Sequence, residues 1–158
     1  MKSFFRRRLI DPLLAFLKQG VSPEKLALAI TLGIISAVVP VFGAATLLCL
    51  IPIKVFRLNP GAILLVNQVA YPLQFLLYIP LIKSGQWLFN DHSLTLTVSM
   101  VFSMFREDAM HAIGQLWNVT MYALVVWVIT SLLVGTCLYW ALKALLQKAA
   151  IRMQIVNH

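Results

Sequence analysis

Between Lys25 and Lys54 the chain runs for 28 residues without a charge. That is long enough to cross a bilayer as a helix. Pro40 and Gly43 interrupt it near its centre, inside SAVVPVFGAATLL at residues 36–48. Pro40 disfavours helical geometry at Val39 and removes a backbone donor. Gly43 permits a sharp reversal. The run therefore either crosses with a kink or enters the membrane and turns back.

Composition places the chain in a membrane. Apolar residues make up 61% and charged residues 11%, against about 25% charged in soluble domains. Too little polar surface remains to cover a water-facing globule, and the length suits a single domain over residues 1–158. The net charge is +8. The charges sit at the ends of apolar runs rather than on a basic face with stacking aromatics. They read as topology determinants facing anionic lipid, and a nucleic-acid partner is not expected.

Charge sidedness weighs the two topologies. For the re-entrant hairpin unit at 22–57, if residues 23–57 re-enter, 60–82 cross and 115–142 cross back, eleven of the thirteen Lys and Arg residues share one side. If all three segments cross, the split is eight against five. The positive-inside rule favours the hairpin, with both termini cytoplasmic in a bacterial inner membrane.

Local signals set the elements. Ser22-Pro23-Glu24 is a helix start, with the helix running to about Val39. A second short helix is expected from Ala44 to about Phe56, with Pro52 kinking its end. Asn59-Pro60 opens another. Breaks at Asn67-Gln68 and Tyr71-Pro72, with Pro80 beyond, leave residues 59–83 as a kinked span or a second hairpin. Residues 93–108 read as an interfacial amphipathic helix, because a lone strand would leave its edges unpaired. Residues 112–143 form the cleanest transmembrane helix, with Trp117 and Trp140 spaced as two interfacial belts, and 144–158 read as a basic cytoplasmic tail. Residues 1–20 read as a basic amphipathic helix on the membrane surface. Its apolar stretch is too short for a signal-peptide core, so the N-terminus is expected to be retained. The fold class is an all-α integral membrane protein of re-entrant and broken helices with one long C-terminal span.

GVSPEKLALAITLGIISAVVPVFGAATLL, followed by FRLNPGAILLVNQ, resembles the bacterial membrane family catalogued as domain of unknown function 2062. The matching residues are Gly20, Ser22, Pro23, Glu24, Lys25, Ala27, Gly33, Pro40, Gly43, Thr46, Leu58, Asn59 and Asn67. The resemblance covers roughly residues 15–88 and rests on the combination of SPEK, a P-x-x-G break and a later L-N. Many members carry Asn-Pro in the second break, whereas Asn67 is followed here by Gln68. In some members a similar domain is joined to a glycosyltransferase resembling those that use polyprenyl-phosphate sugars. The resemblance thus implies, by association, a link to lipid-carried sugars.

One candidate site is the Pro40–Gly43 turn. In a hairpin, the helix beginning at Gly43 presents backbone N–H groups at Ala44 and the following residues, with the Thr46 hydroxyl beside them, and a helix N-terminus holds anions. Asn67, Gln68 and Tyr71 would complete a polar lining, and Lys54 and Arg57 would recruit a headgroup. The other reading of the turn is a structural kink whose polar side chains bond neighbouring helices. The ladder Ala29, Gly33, Ala37 permits close helix approach, within the chain or at a dimer seam. A chain this small does not enclose a lipid path alone, which points to some homo-oligomer.

Enzyme constellations are missing from the sequence. His92, His111 and His158 have no carboxylate or cysteine at ligand spacing, and Cys49 and Cys137 read as small core hydrophobes. No catalytic residue, metal or cofactor is expected. The expectation is a transporter or flippase-like protein handling a lipid carrier or other anionic amphiphile in envelope biogenesis. The alternative is a non-catalytic membrane scaffold that docks a glycosyltransferase or other envelope enzyme.

Overall fold

The computed structural model describes residues 15–17, 20–41, 43–90, 103, 106 and 109–156. Among them every regular element is helical, and the main ones are α1 (Pro23–Ala37), α2 (Ala44–Phe56), α3 (Pro60–Leu88) and α4 (Ala109–Val156). The expected helices over 1–20 and 93–108 lie largely outside the described residues. Positions 15–17, 103 and 106 are helical.

The caps form as the local signals predict. The Ser22 hydroxyl accepts from the Lys25 N–H at 3.4 Å. The Asn59 side chain accepts from the Ala62 N–H at 3.2 Å. Each satisfies one donor of a helix first turn. Helix α1 stops at Ala37, two residues short of Val39. Pro40 has no N–H to continue the ladder, so the last turn tightens. Val38 donates to the Ile35 carbonyl at 3.2 Å and Val39 to that of Ser36 at 3.4 Å. Gly43, at φ +84°, precedes α2, and Arg57, at φ +50°, follows it.

Two expectations are corrected. Of the two readings of residues 59–83, the second hairpin does not form: from Pro60 they belong to one 29-residue helix, long enough to span, that carries Pro72 and Pro80 inside it. Each proline removes one donor, from the carbonyls of Gln68 and Leu76 respectively. Helix α3 packs against α1, α2 and α4 and stays helical through both sites. The second correction concerns the C-terminal span. It does not end near 143, and the expected tail at 144–158 continues the helix to Val156, giving 48 residues. Residues 141–150, ALKALLQKAA, are almost all strong helix formers with no proline or glycine to stop them.

Helix α1, like α3, packs on the other three. It runs parallel to α3, as the Asn67–Gly33 and Gln74–Val39 hydrogen bonds show. It runs antiparallel to α4, since Glu24 meets Lys143 while Ile35 meets Trp127. Leu26, Cys49 and Leu58 share a core cluster with Ala62, Ile63 and Val66, and Ile53 packs against it. The start of α1 and the end of α2 therefore lie at the same end of the fold. The ladder Ala29, Gly33, Ala37 is buried within the chain. A Cβ on Gly33 would meet the Ile63 carbonyl at 2.9 Å, so α1 and α3 are in backbone contact there. A second such contact joins Gly85 of α3 to α4. A Cβ there would lie 2.8 Å from the Tyr122 carbonyl carbon and 2.9 Å from the Ala123 nitrogen.

Among the described residues two helices are long and apolar enough to cross a membrane: Pro60–Leu88 and Val119–Arg152. Only 33% and 17% of their apolar windows are buried in the fold. The core helix of a water-soluble domain would be largely buried, so the exposure of both points to a membrane location. Trp117 and Trp140 are 59% and 60% exposed, as interfacial tryptophans would be.

Candidate functional site: the helix break and its amide clasp

The break after α1 is a packed structure. Val39 and Pro40 are buried. The Gln74 side chain, fully buried on α3, donates through Nε2 to the Val39 carbonyl at 2.7 Å and lies 3.3 Å from that of Val41. From the other side, Trp127 Nε1 of α4 donates to the Ile35 carbonyl at 3.2 Å. Carbonyls at an interrupted helix end need donors when water is excluded. Here α3 and α4 each supply one.

Asn67 is also fully buried, but it lies one helical stretch away from the break. Its Nδ2 donates to the Gly33 carbonyl at 3.3 Å, where the glycine lets α3 come close. Asn67 and Gln74 are seven residues apart on one face of α3, opposite Gly33 and the break. Each keeps one side-chain oxygen, Oδ1 and Oε1, buried without a hydrogen-bond partner.

The remaining candidates scatter. Gln68 is exposed, a third of a turn away from Asn67, and does not join it. Tyr71 is half-buried and stands edge-on to Phe75, with ring centroids 6.3 Å apart. Gly43 and Thr46 are exposed at the start of α2 and Ala44 is half-buried, while Gly43 offers no side-chain cap. Lys54 and Arg57 are exposed at the far end of α2. The amide at the break is thus Gln74, which sequence reasoning missed, and Trp127 was missed with it. Polarity inside an apolar helix marks Gln74, but only the α1–α3 register assigns it to the break. Among the described residues no group of three His, Cys, Asp or Glu side chains is placed to hold a metal ion.

The basic side chains gather at one end. Lys25, Lys54, Arg57 and Lys143 lie where α1 begins and α2 ends, and Lys148 and Arg152 follow on α4. Glu24 is the carboxylate there, 2.8 Å from Lys143 Nζ. Lys83 sits towards the opposite end of α3. Arg57 is unusual in its backbone, since a non-glycine residue in the left-handed region costs about 1–2 kcal/mol. Arg57→Gly should therefore raise the stability of the fold by about 1 kcal/mol, read as a higher unfolding midpoint in detergent. A lower midpoint would mean that the Arg57 side chain, not its backbone, governs this corner.

Among the described residues this is an all-helical fold clasped around an interrupted helix, with two helices long and apolar enough to cross a membrane. The chain belongs to the bacterial family described as uncharacterized proteins conserved in bacteria, DUF2062, whose pattern it matches over residues 3–154. No curated protein and no solved structure matches it significantly.

Proposed function

We propose that this chain handles or translocates a lipid carrier, such as a polyprenyl phosphate, or another anionic amphiphile in the bacterial inner membrane. In this reading residues 23–57 re-enter from the cytoplasmic side, with both termini in the cytoplasm. The amphiphile's anionic group meets Gly43, Ala44 and Thr46, and Lys54 and Arg57 recruit it.

The observation that carries the reading is the place where α2 starts. The break lies against Gln74, the middle residue of the 29-residue α3. Gly43 and Thr46 are exposed there, with no capping side chain from Gly43. At membrane depth, irregular backbone must be sheltered by protein, water or a polar ligand. An anion at the start of α2 meets the positive end of the helix dipole. The clustering of basic side chains around Arg57 supports a cytoplasmic mouth.

The test is lipid movement in reconstituted vesicles, using fluorescent phosphatidylglycerol and a fluorescent short-chain polyprenyl phosphate as probes. Thr46→Val with Arg57→Gln should slow movement about tenfold while the protein stays folded. Arg57→Gly should slow it too, despite its added stability. Movement no faster than in protein-free vesicles, for both probes, would remove the transport reading.

A scaffold for an envelope glycosyltransferase is the second reading. It draws on Asn67 and Gln74, whose donors serve backbone carbonyls rather than an open cavity. It predicts no lipid movement, and loss of partner recovery when the exposed apolar side chains of α2, such as Leu47, Ile51 and Val55, are replaced.

A further inference from the structure

A second feature lies along the α1–α4 contact. An apolar groove of about 420 Å³ opens sideways between the two helices. Leu28 and Leu32 of α1 and Val128, Leu132 and Tyr139 of α4 form its walls. This volume is within the ~300–1,000 Å³ range of small-molecule sites. From Tyr139 to Trp127 the groove follows 12 residues of α4, about 18 Å at 1.5 Å per residue. One leaflet of a bilayer contributes about half of the ~30 Å hydrocarbon core. The groove is therefore close to the length of a single acyl chain.

Its two ends differ in chemistry. Beyond Tyr139 and Leu28, one turn further on each helix, stand Lys143 and Lys25, with Glu24 paired to Lys143. Lys54 and Arg57 lie at the same end of the fold, so positive charge prevails at that end. Inside the groove, Thr31 is 3% exposed and its hydroxyl has no hydrogen-bond partner. At the inner end Trp127, held by the Ile35 carbonyl, closes the groove. A second apolar groove of about 290 Å³ begins beyond Trp127, Ile35 and Ser131, which line both.

We propose that the α1–α4 groove is a binding site for an anionic glycerophospholipid, with its phosphate at Lys25 and Lys143 and one acyl chain ending against Trp127. The site is separate from the helix break and does not require lipid movement. An acyl lipid fits better than a polyprenyl phosphate because the groove is about one leaflet-deep acyl chain long, about 15–18 Å.

The reporter is Trp127. With Trp87, Trp117 and Trp140 replaced by Phe, its fluorescence is followed in phosphatidylcholine vesicles doped with chain-brominated lipid. Brominated phosphatidylglycerol should occupy the groove about fivefold more than brominated phosphatidylcholine at equal mole fraction, through the basic mouth, and quench Trp127 accordingly. Gly135→Leu, which builds a side chain into the groove wall, should abolish the difference. Lys25→Gln with Lys143→Gln should reduce it. Equal quenching by the two lipids in the parent protein would overturn the proposal. So would a preference that survives both Gly135→Leu and the paired lysine changes. Because quenching reads occupancy and the vesicle assay reads movement, either proposal can fail while the other stands.

Discussion

Gly85→Leu should destabilise the fold by about 3 kcal/mol, near the upper end of ordinary overpacking costs. The reason is what a side chain would meet there. A Cβ alone would stand 2.8 Å from a main-chain carbon of α4 and 2.9 Å from a main-chain nitrogen. A flexible neighbouring side chain turns aside, but a helix backbone moves only as a body. Helices α3 and α4 must then separate along the cluster of Ile82, Val119 and Ala123. The measurement is the unfolding midpoint in detergent, with Gly114→Leu as control. Gly114 has nothing within 4 Å of its would-be Cβ. There leucine should be neutral or slightly stabilising, because it favours helix over glycine. Equal midpoints for the two variants would mean that the α3–α4 contact is not close-packed in the folded protein.

Gln74→Leu should cost about 1–3 kcal/mol, the penalty for leaving a buried polar group without its partner. Leucine resembles glutamine in size, so the loss is one of hydrogen bonding rather than volume. The Val39 carbonyl loses its 2.7 Å donor, and the Val41 carbonyl loses a contact at 3.3 Å. Gln68→Leu, on the exposed side of the same helix, should stay within about 0.5 kcal/mol of the parent. The two glutamines differ little in the sequence and oppositely in their surroundings. If both variants match the parent, water or lipid reaches the break and serves its carbonyls, and the clasp contributes no stability.

The two substitutions also separate roles that share the break. Gln74 acts on how α1 ends, whereas Thr46 and Gly43 face outward at the start of α2. Loss of lipid movement in Gln74→Leu would accompany loss of stability. Loss of movement in Thr46→Val should not. A polar residue buried against carbonyls is therefore a poor probe of ligand binding here, and an exposed one at the same break is the better probe.

Much of the fold was legible in short stretches of sequence. Ser22-Pro23-Glu24 and Asn59-Pro60 start helices where they were expected, because capping depends on groups three residues apart. Pro40 and Gly43 mark the interruption for the same local reason. The continuity of α3 through Pro72 and Pro80 was not legible. A proline lowers local helical stability, but neighbours on several sides restore it, and those neighbours come from distant segments. The extension of α4 to Val156 was visible in its helix-forming residues, yet the basic residues Lys148 and Arg152 beyond Lys143 read as a tail.

The candidate site divides along the same line. That the chain would be interrupted between two short helices follows from the residues at 40 and 43 alone. Which polar side chain serves the interruption depends on the register of α1 against α3, a sequence offset of about 34 residues set by the close contact at Gly33. That offset places Asn67 beside Gly33 and Gln74 beside the break. Periodicity puts both amides on one face of α3 but does not say how far that helix slides along its neighbour. The sequence by itself determined the helices, their caps and the break, because those are contests among adjacent residues. The tertiary structure alone decided that Gln74 and Trp127 complete the break, because backbone contact at small residues fixes how far one helix stands along another.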